Sequence, residues 1–423
     1  MSTDLNQLSE LVERAARALT GIASVTPLQL NARLSALTGA QVWLKREDLQ
    51  PVRSYKLRGA YVLMSQLGTD ERAAGVVCAS AGNHGQGVAW SCARLGIEGD
   101  VFVPSTTPRQ KRERIMELGR GHIRLTVVGD NYDETAGAAR EQADRTGARL
   151  VPAFDHLDTI SGQGTVAAEI VAQLGGAPDV VLVPVGGGGL LAGCGAWLRT
   201  HLSEVRLVGA EPAGAACVAA AMEAGGPVSL LDVDTFVDGA AVRRAGELTW
   251  SVISQLGGEL VAVPEGQICS EMLALYQTDG VIAEPAGALA SSVLRRGPHD
   301  VTVDVQPGQT VVAIVSGGNN DISRYNEVLE RSLVHEGRKH YFLVSFPQEP
   351  GQLRRFLDRI LGPDDDIVLF EYTKKSNRET GPALVGIELG DPNELPALLA
   401  RAAASPIRVE PISPDSSFYR YLV

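Results

Sequence analysis

The sequence sets apart one amine. Lys56 lies in Ser54-Tyr55-Lys56-Leu57-Arg58-Gly59-Ala60, just after the charged run Lys45-Arg46-Glu47-Asp48. A lysine beside an aromatic residue is ordinarily a solvated surface group. Lys56 differs because three downstream loops carry groups that make sense together only if something is bound to its amine. The chemistry this suggests is a Schiff base.

The first loop is Ser80-Ala81-Gly82-Asn83-His84-Gly85-Gln86-Gly87. It follows an apolar run and leads into a helix expected over 88–95. Small residues there let main-chain N–H groups and a helix N-terminus approach an anion, so a carboxylate or phosphate is the natural ligand; an ordinary strand-to-helix turn is the other reading. The second loop, Gly186-Gly187-Gly188-Gly189-Leu190, has the makeup of a phosphate cradle in which no side chain intrudes, with a plain turn as the other reading. It also fits a relaxed dinucleotide fingerprint, Gly187-x-Gly189-x-x-Ala192 with Glu211 about 20 residues on, which alone would suggest a nicotinamide-dependent dehydrogenase. That reading leaves Lys56 and Asn83 without roles. The third loop, Ser316-Gly317-Gly318-Asn319, offers a hydroxyl suited to a heterocyclic nitrogen, or simply a helix cap.

Positioning these loops falls to Val- and Ile-rich runs at 75–79, 100–104, 124–128, 149–152, 180–185, 205–209 and 311–315, separated by helical stretches. Continuous apolar strands alternating with helices specify parallel sheet covered on both faces, an α/β architecture. The runs before and after about residue 150 form separate sets, so two open α/β subdomains are expected, with ligands beyond the strands' carboxyl ends. The pattern changes near residue 325. A charged, helix-like connector at 326–338 separates a catalytic part, 1–325, from a second domain, 339–423. Strand-like runs at 341–346, 367–372, 383–389 and 407–411 with helical runs at 352–361 and 394–403 give the order βαββαβ, a ferredoxin-like α+β unit.

Composition narrows the function classes. The 423 residues are 44% hydrophobic and 21% charged, the balance of a globular protein. A net charge of −12 without a basic run argues against nucleic-acid and anionic-membrane partners. Cys78, Cys92, Cys194, Cys217 and Cys269 are irregularly spaced, which fits buried thiols in a reducing cytoplasm and not a disulfide framework or zinc site. No apolar run reaches the roughly 20 residues of a membrane span, and Asp4, Glu10, Glu13 and Arg14 interrupt any signal core.

Taken in order, Ser54 to Ala60, Ser80 to His84, Gly186 to Leu190 and Ser316-Gly317 resemble the fold-type II pyridoxal phosphate enzymes, and among them the threonine dehydratase (threonine ammonia-lyase) family. The resemblance spans residues 20–320, and the C-terminal part is similar to the single ACT-like regulatory domain of the shorter biosynthetic members. It implies that Lys56 holds pyridoxal 5′-phosphate and then removes the substrate Cα proton, with Tyr55 near the ring and Asn83 on the cofactor's 3′-oxygen. Gly186, Gly187, Gly188, Gly189 and Leu190 would cradle the phosphate, and Ser316 would meet the pyridine nitrogen. Ser80, Ala81, Gly82, Asn83 and His84 would hold the substrate carboxylate. Serine racemases resemble this pattern but carry a serine at the place of Ala81, so elimination is expected over racemisation. Glu211 resembles one ligand of a cation site in some relatives, but Cys217 stands where a second acid would be, and a structural acceptor role is the alternative. Glu284-Pro285-Ala286-Gly287-Ala288 also matches, without a role for Glu284. The implied activity is deamination of L-threonine, and also of L-serine, with isoleucine as effector, in a cytoplasmic homotetramer. A sensor that keeps the fold without turnover is disfavoured by intact Lys56, Asn83 and Ser316.

Overall fold

Apolar runs of this kind cannot leave a face in water and are stable only as buried parallel strands. In the computed structural model, which describes residues 3–374, 377–413, Ser416, Tyr419 and Leu422, they form two sheets within the first of two compact units. That unit comprises Met1–Glu265, Ala274–Arg296 and Asp300–Asp321. Its larger sheet has the order Leu28–Leu30, Gln41–Arg46, Thr310–Val315, Val180–Pro184, Arg206–Pro212, Glu259–Val263, parallel except for the antiparallel edge pair of Leu28–Leu30 with Gln41–Arg46. The smaller sheet, in the order Ile123–Val127, Gly99–Val103, Val76–Ala79, Arg149–Leu150, is parallel throughout.

This order places the loops. Thr310–Val315 lies between Gln41–Arg46 and Val180–Pro184, with Val315 level with Arg46 and Ala313 level with Leu182. The segment leading to Lys56, the turn at Ser316 and the glycine run at 186–189 therefore leave neighbouring strands at the same end. Val76–Ala79 is interior to the smaller sheet and ends at Ser80.

Three strands, Leu28–Leu30, Gln41–Arg46 and Glu259–Val263, lie outside the runs read from the sequence, and one helix starts earlier than expected. Gln41–Arg46 is a full strand although it ends in two cations, because both are neutralised in place. Arg46 donates twice to Asp48 at 2.9 and 2.8 Å, and Lys45 is paired in the interior. The helix expected at 88–95 begins at Asn83. Its two early glycines disfavour helix intrinsically, but each admits a close contact. A Cβ on Gly85 would lie 2.2 Å from the Ser80 carbonyl oxygen, and one on Gly87 would lie 3.2 Å from the Leu57 nitrogen.

Lys56 opens the helix Lys56–Ser65, and a buried ion network holds that helix two residues further on. Arg58 is fully buried and its guanidinium grips two carboxylates: Glu47 at 2.8 Å through Nε and Nη2, and Glu169 at 2.6 Å through Nη1 and 2.9 Å through Nη2. Lys45, also fully buried, donates to Glu169 at 2.7 Å, the Thr26 carbonyl at 2.8 Å and Gln173 at 2.9 Å. Burial pushes the Lys45 amine below its ordinary value; burial would raise the Glu47 carboxyl, but the charges of Arg58 and Lys45 with the hydrogen bonds from Arg58 and Thr26 together hold it below its own. Two cations face two anions, joining Gln41–Arg46, Lys56–Ser65 and Leu157–Leu174. Beside it the last two helices touch through backbone, since a Cβ on Gly162 would lie 2.7 Å from the Gly59 Cα.

The second unit comprises Gly266–Leu273, Gly297–His299 and Ile322–Val423. It contains an antiparallel sheet in the order Asp366–Tyr372, Thr380–Glu388, Lys339–Pro347, Arg408–Pro411. With the helices Gln352–Arg359 and Leu395–Ala403 this is the ferredoxin-like order. Its own core is built on Phe342, Val344, Phe346, Phe356, Val385, Ile387 and Leu398. Phe346 sits edge-on to Phe356, centroids 5.5 Å apart.

Truncating Arg58 should leave Glu47 charged, buried and without its main partner. Arg58→Ala is expected to lower the unfolding free energy by about 3–5 kcal/mol, the usual penalty for breaking a buried pair, measured by urea denaturation. A loss below about 1 kcal/mol would mean that the network contributes no more than a surface pair.

Candidate active site

Four chain segments meet at the carboxyl ends of the strands. The lysine loop is stitched to the end of Thr310–Val315. The Tyr55 N–H donates to the Ser316 carbonyl at 3.1 Å, the Gly318 N–H donates to the Arg53 carbonyl at 2.9 Å, and Ser54 bridges Gly317. Lys56 is half-buried; its Nζ lies 3.4 Å from the Ala153 carbonyl oxygen and 5.2 Å from the centre of the Tyr55 ring.

The second segment, 80–84, closes Val76–Ala79. The Gly82 N–H donates to Ser80 Oγ at 3.2 Å, and the helix Asn83–Leu95 follows, leaving its first-turn N–H groups without intrahelical partners. A Cβ on Gly82 would meet nothing within 4 Å, so this turn faces open space. Ala81 packs against the core of the smaller sheet. His84 is buried and its Nε2 lies 2.7 Å from the Val151 carbonyl oxygen. A carbonyl only accepts, so Nε2 carries the proton, while Nδ1 has no partner. Burial, reinforced by the nearby Lys56 charge, holds the ring down at about 4, so His84 is neutral near pH 7.

The third segment is the glycine run. A Cβ on Gly186 would lie 2.9 Å from the Ala240 Cα, one on Gly187 2.5 Å from carbons of the Phe154 ring, one on Gly188 2.8 Å from Ile253, and one on Gly189 2.9 Å from the Phe154 Cβ. Protein already fills every one of these directions, and Gly188 has φ of 91°. The loop can offer a ligand only main chain, continued by the N-terminus of Gly189–His201, whose Leu190 is buried. Thr249 donates to the Gly187 carbonyl at 2.7 Å and holds the loop in place.

Ser316 supplies the fourth group; it is buried, and its hydroxyl donates to the Ala286 carbonyl at 3.1 Å. Asn83 sits between this strand end and Glu284. Its Nδ2 donates to Glu284 Oε1 at 2.5 Å and its Oδ1 accepts from Asn319 at 2.7 Å. Burial, and then the Asp238 charge, push the Glu284 carboxyl up to about 7.

The sequence reading left several contributors without a role: Glu284, Asn319, the His84 ring, and the segments 151–155 and 236–240. The 151–155 segment is fastened at both ends, by His84 on Val151 and by Asp155, which accepts from the N–H groups of Leu248 at 2.9 Å and Thr249 at 3.2 Å. Between them lie the Ala153 carbonyl and Phe154. Nothing in 151–155 looks like a motif, because its contribution is a carbonyl and a ring face set by distant partners.

Glu211 lies apart from this cluster of side chains. Its carboxylate accepts from the Val218 N–H at 2.7 Å and the Ala219 N–H at 2.8 Å, capping the helix Cys217–Ala224, and burial pushes it up to about 7. Cys217 Sγ lies 3.5 Å from the Gly186 carbonyl. Among the described residues no group of three or more His, Cys, Asp or Glu side chains is placed to hold a metal ion.

Comparison with known proteins gives the following likenesses. Residues 19–317 match the family described as pyridoxal-phosphate dependent enzyme, and residues 330–422 match the C-terminal regulatory domain of threonine dehydratase. The chain is 58% identical to the biosynthetic L-threonine dehydratase of Mycobacterium tuberculosis (strain ATCC 25618 / H37Rv), over 97% of this chain and 95% of that protein. It is 52% identical to that of Corynebacterium glutamicum, over 97% and 94%. Among solved structures it resembles the processed form of threonine deaminase isoform 2 from Solanum lycopersicum, with a TM-score of 0.72 and 35% identity over 78% of this chain and 95% of that one.

Glu284 makes stability depend on pH. Because its folded value of about 7 exceeds the ordinary 4.5, the folded state keeps a proton that the unfolded chain releases. Stability from this source is complete below 4.5 and falls as pH rises to about 7. Glu284→Gln should flatten that decline by up to about 3 kcal/mol, read from urea midpoints across the window, with Glu211 accounting for a remainder. An unchanged slope would place the Glu284 carboxyl in the ordinary range.

Proposed function

The chain belongs to the pyridoxal-phosphate dependent enzymes, within the threonine dehydratase family, and from that premise we propose that it converts L-threonine to 2-oxobutanoate and ammonia, the first committed step toward isoleucine. The observation that carries the reading is the meeting of Lys56, Asn83, Ser316 and the Gly186–Gly189 loop at one end of the sheets. The donor set fits the cofactor: an amine for its carbonyl, an amide for its 3′-oxygen, a hydroxyl for its ring nitrogen, and main chain for its phosphate. The fit is sharpest at 186–189, where a side chain has no room and only backbone can face an anion.

When bound, pyridoxal phosphate supplies a carbonyl that condenses with amines and a conjugated ring that takes up the electron pair released at Cα. Lys56 would hold that carbonyl and, once the substrate amine took its place there, would be the free amine placed to remove the Cα proton. The Ala153 carbonyl is the acceptor beside its Nζ in the free state. The N–H groups of 80–84 hold the substrate carboxylate, and the helix N-terminus favours that charge. Neutral His84 adds no second cation beside Lys56. The Ser316 hydroxyl, which donates to the Ala286 carbonyl in the free protein, would turn to meet the ring nitrogen; being uncharged, unlike a carboxylate, it would not stabilise a protonated ring, and expulsion of the β-hydroxyl would then compete well with transamination. Ala81 has only a methyl group and cannot serve as a second base on the opposite face of the substrate, which favours elimination over racemisation. Atoms balance: elimination releases water, and hydrolysis of the enamine product takes one up as ammonia leaves.

L-Serine is the expected second substrate, giving pyruvate, since one methyl group is worth only about 1–3 kcal/mol in discrimination. Residues 1–325 form the catalytic part, 326–338 the connector, and 339–423 a regulatory domain that binds isoleucine and lowers turnover. A separate core of its own supports this division. The active form is a homotetramer. It works in the cytoplasm, in keeping with five buried cysteines that form no disulfide.

The test is 2-oxobutanoate release from L-threonine by the cofactor-loaded protein, with and without isoleucine. Lys56→Ala should reduce turnover by roughly 10³-fold or more, about the size of a lost general base, and isoleucine should suppress the wild-type rate. Turnover of L-serine or D-serine alone would replace threonine as the substrate, and turnover insensitive to isoleucine would remove the effector.

A further inference from the structure

Asn319 stands three residues beyond Ser316, and its side chain reaches back over two other loops. Its Nδ2 donates to the Val52 carbonyl at 2.8 Å and to Asn83 Oδ1 at 2.7 Å. A primary amide has two N–H groups and one oxygen. Turning Asn319 over would set its oxygen against the Val52 carbonyl, so the backbone fixes which way this amide points. That choice is passed on to Asn83, whose Oδ1 must face the Asn319 NH2. The Asn83 NH2 then lies on the other side, where one N–H donates to Glu284 Oε1 at 2.5 Å. One N–H of Asn83 is left over. Packing leaves no slack, since a Cβ on Gly317 would lie 2.0 Å from Glu284 Oε1 and 3.2 Å from Asn83 Nδ2.

We propose that Asn319 is a positioning residue: with the Val52 carbonyl and Glu284 it clamps the Asn83 amide, so that an N–H and not the amide oxygen is presented to the cofactor's 3′-oxygen. The inference rests on the reading of Asn83 as the partner of that oxygen. An ionised 3′-oxygen is an acceptor; a turned Asn83 would oppose it with a lone pair, and the bound chromophore would register the change.

Asn319→Asp keeps the size of the side chain but replaces the donor facing Asn83 with a carboxylate. Asn319→Ala removes the clamp without repulsion, and Asn83→Ala removes the contact itself. The cofactor affinity of each cofactor-free protein is measured by titration with pyridoxal phosphate, together with the absorption of the bound cofactor across pH and the urea midpoint before loading. Asn319→Asp should bind pyridoxal phosphate about tenfold or more weakly and displace the pH midpoint of its absorption. Asn319→Ala should do the same to a smaller degree and decides the matter if Asn319→Asp does not fold. The urea midpoint of the cofactor-free protein reports what each variant costs the fold, which should be more for Asn319→Asp, whose oxygens meet the Val52 carbonyl and Asn83 Oδ1, than for Asn319→Ala. Wild-type spectra and affinity in both Asn319 variants, beside an altered Asn83→Ala, overturn the clamp and leave the role of Asn83 standing. An unaltered Asn83→Ala overturns that role and the clamp with it.

Discussion

The buried guanidinium of Arg58 is the interaction on which the rest of the site depends. A charge this deep is tolerable only if answered, and Glu47 and Glu169 answer it with four hydrogen bonds. Those bonds pin the first turn of the helix carrying Lys56 to the end of one strand and to a helix more than a hundred residues away in sequence. Lys45 completes the balance, so the interior holds two cations against two anions. The reactive amine is flexible along its own stem but starts from a fixed Cα.

Close backbone approach does the remaining positioning. Gly87 admits the helix Asn83–Leu95 against Leu57, Gly59 meets Gly162, and a Cβ on Gly164 would lie 2.7 Å from the Gly193 carbonyl oxygen. These crossings run in sequence from the carboxylate loop to the lysine helix, to Leu157–Leu174 and on to the helix that follows the glycine loop. A methyl group at Gly59, Gly162 or Gly164 would come within 2.7 Å of a backbone atom, so their influence reaches the site through geometry. In the same way the run 186–189 is glycine because its neighbours Ala240, Phe154 and Ile253 leave no space. Its value to an anion follows from that packing.

Electrostatics within the pocket follow from burial. His84 is kept neutral, Glu284 is held near neutrality in its titration, and Asn83 lies between Glu284 and Asn319 with every group but one N–H engaged. Acidic as the whole chain is, the pocket gathers an amine, amide groups, a hydroxyl and helix N-termini. It is an environment for an anionic, electron-accepting ligand. The second unit has an aromatic core of its own around Phe346.

Much of this was present in the sequence itself. Short apolar runs alternating with helices indicate parallel sheet, and the small-residue loops at their ends read as main-chain donors or plain turns, so Lys56, Asn83, Gly186–Gly189 and Ser316 could be named together as candidates. The βαββαβ order of the C-terminal region was legible for the same reason. Gln41–Arg46 escaped because its charges look exposed until Asp48 and Glu169 are brought to them. Asn319, Glu284 and the Ala153 carbonyl escaped because a hydrogen bond between residues 83 and 284, or 56 and 153, leaves no periodic trace. Sequence determined which groups are available and on which kind of element; the tertiary structure decided which partner each one meets. Partner choice depends on distances across strand order, and only the closed chain sets those.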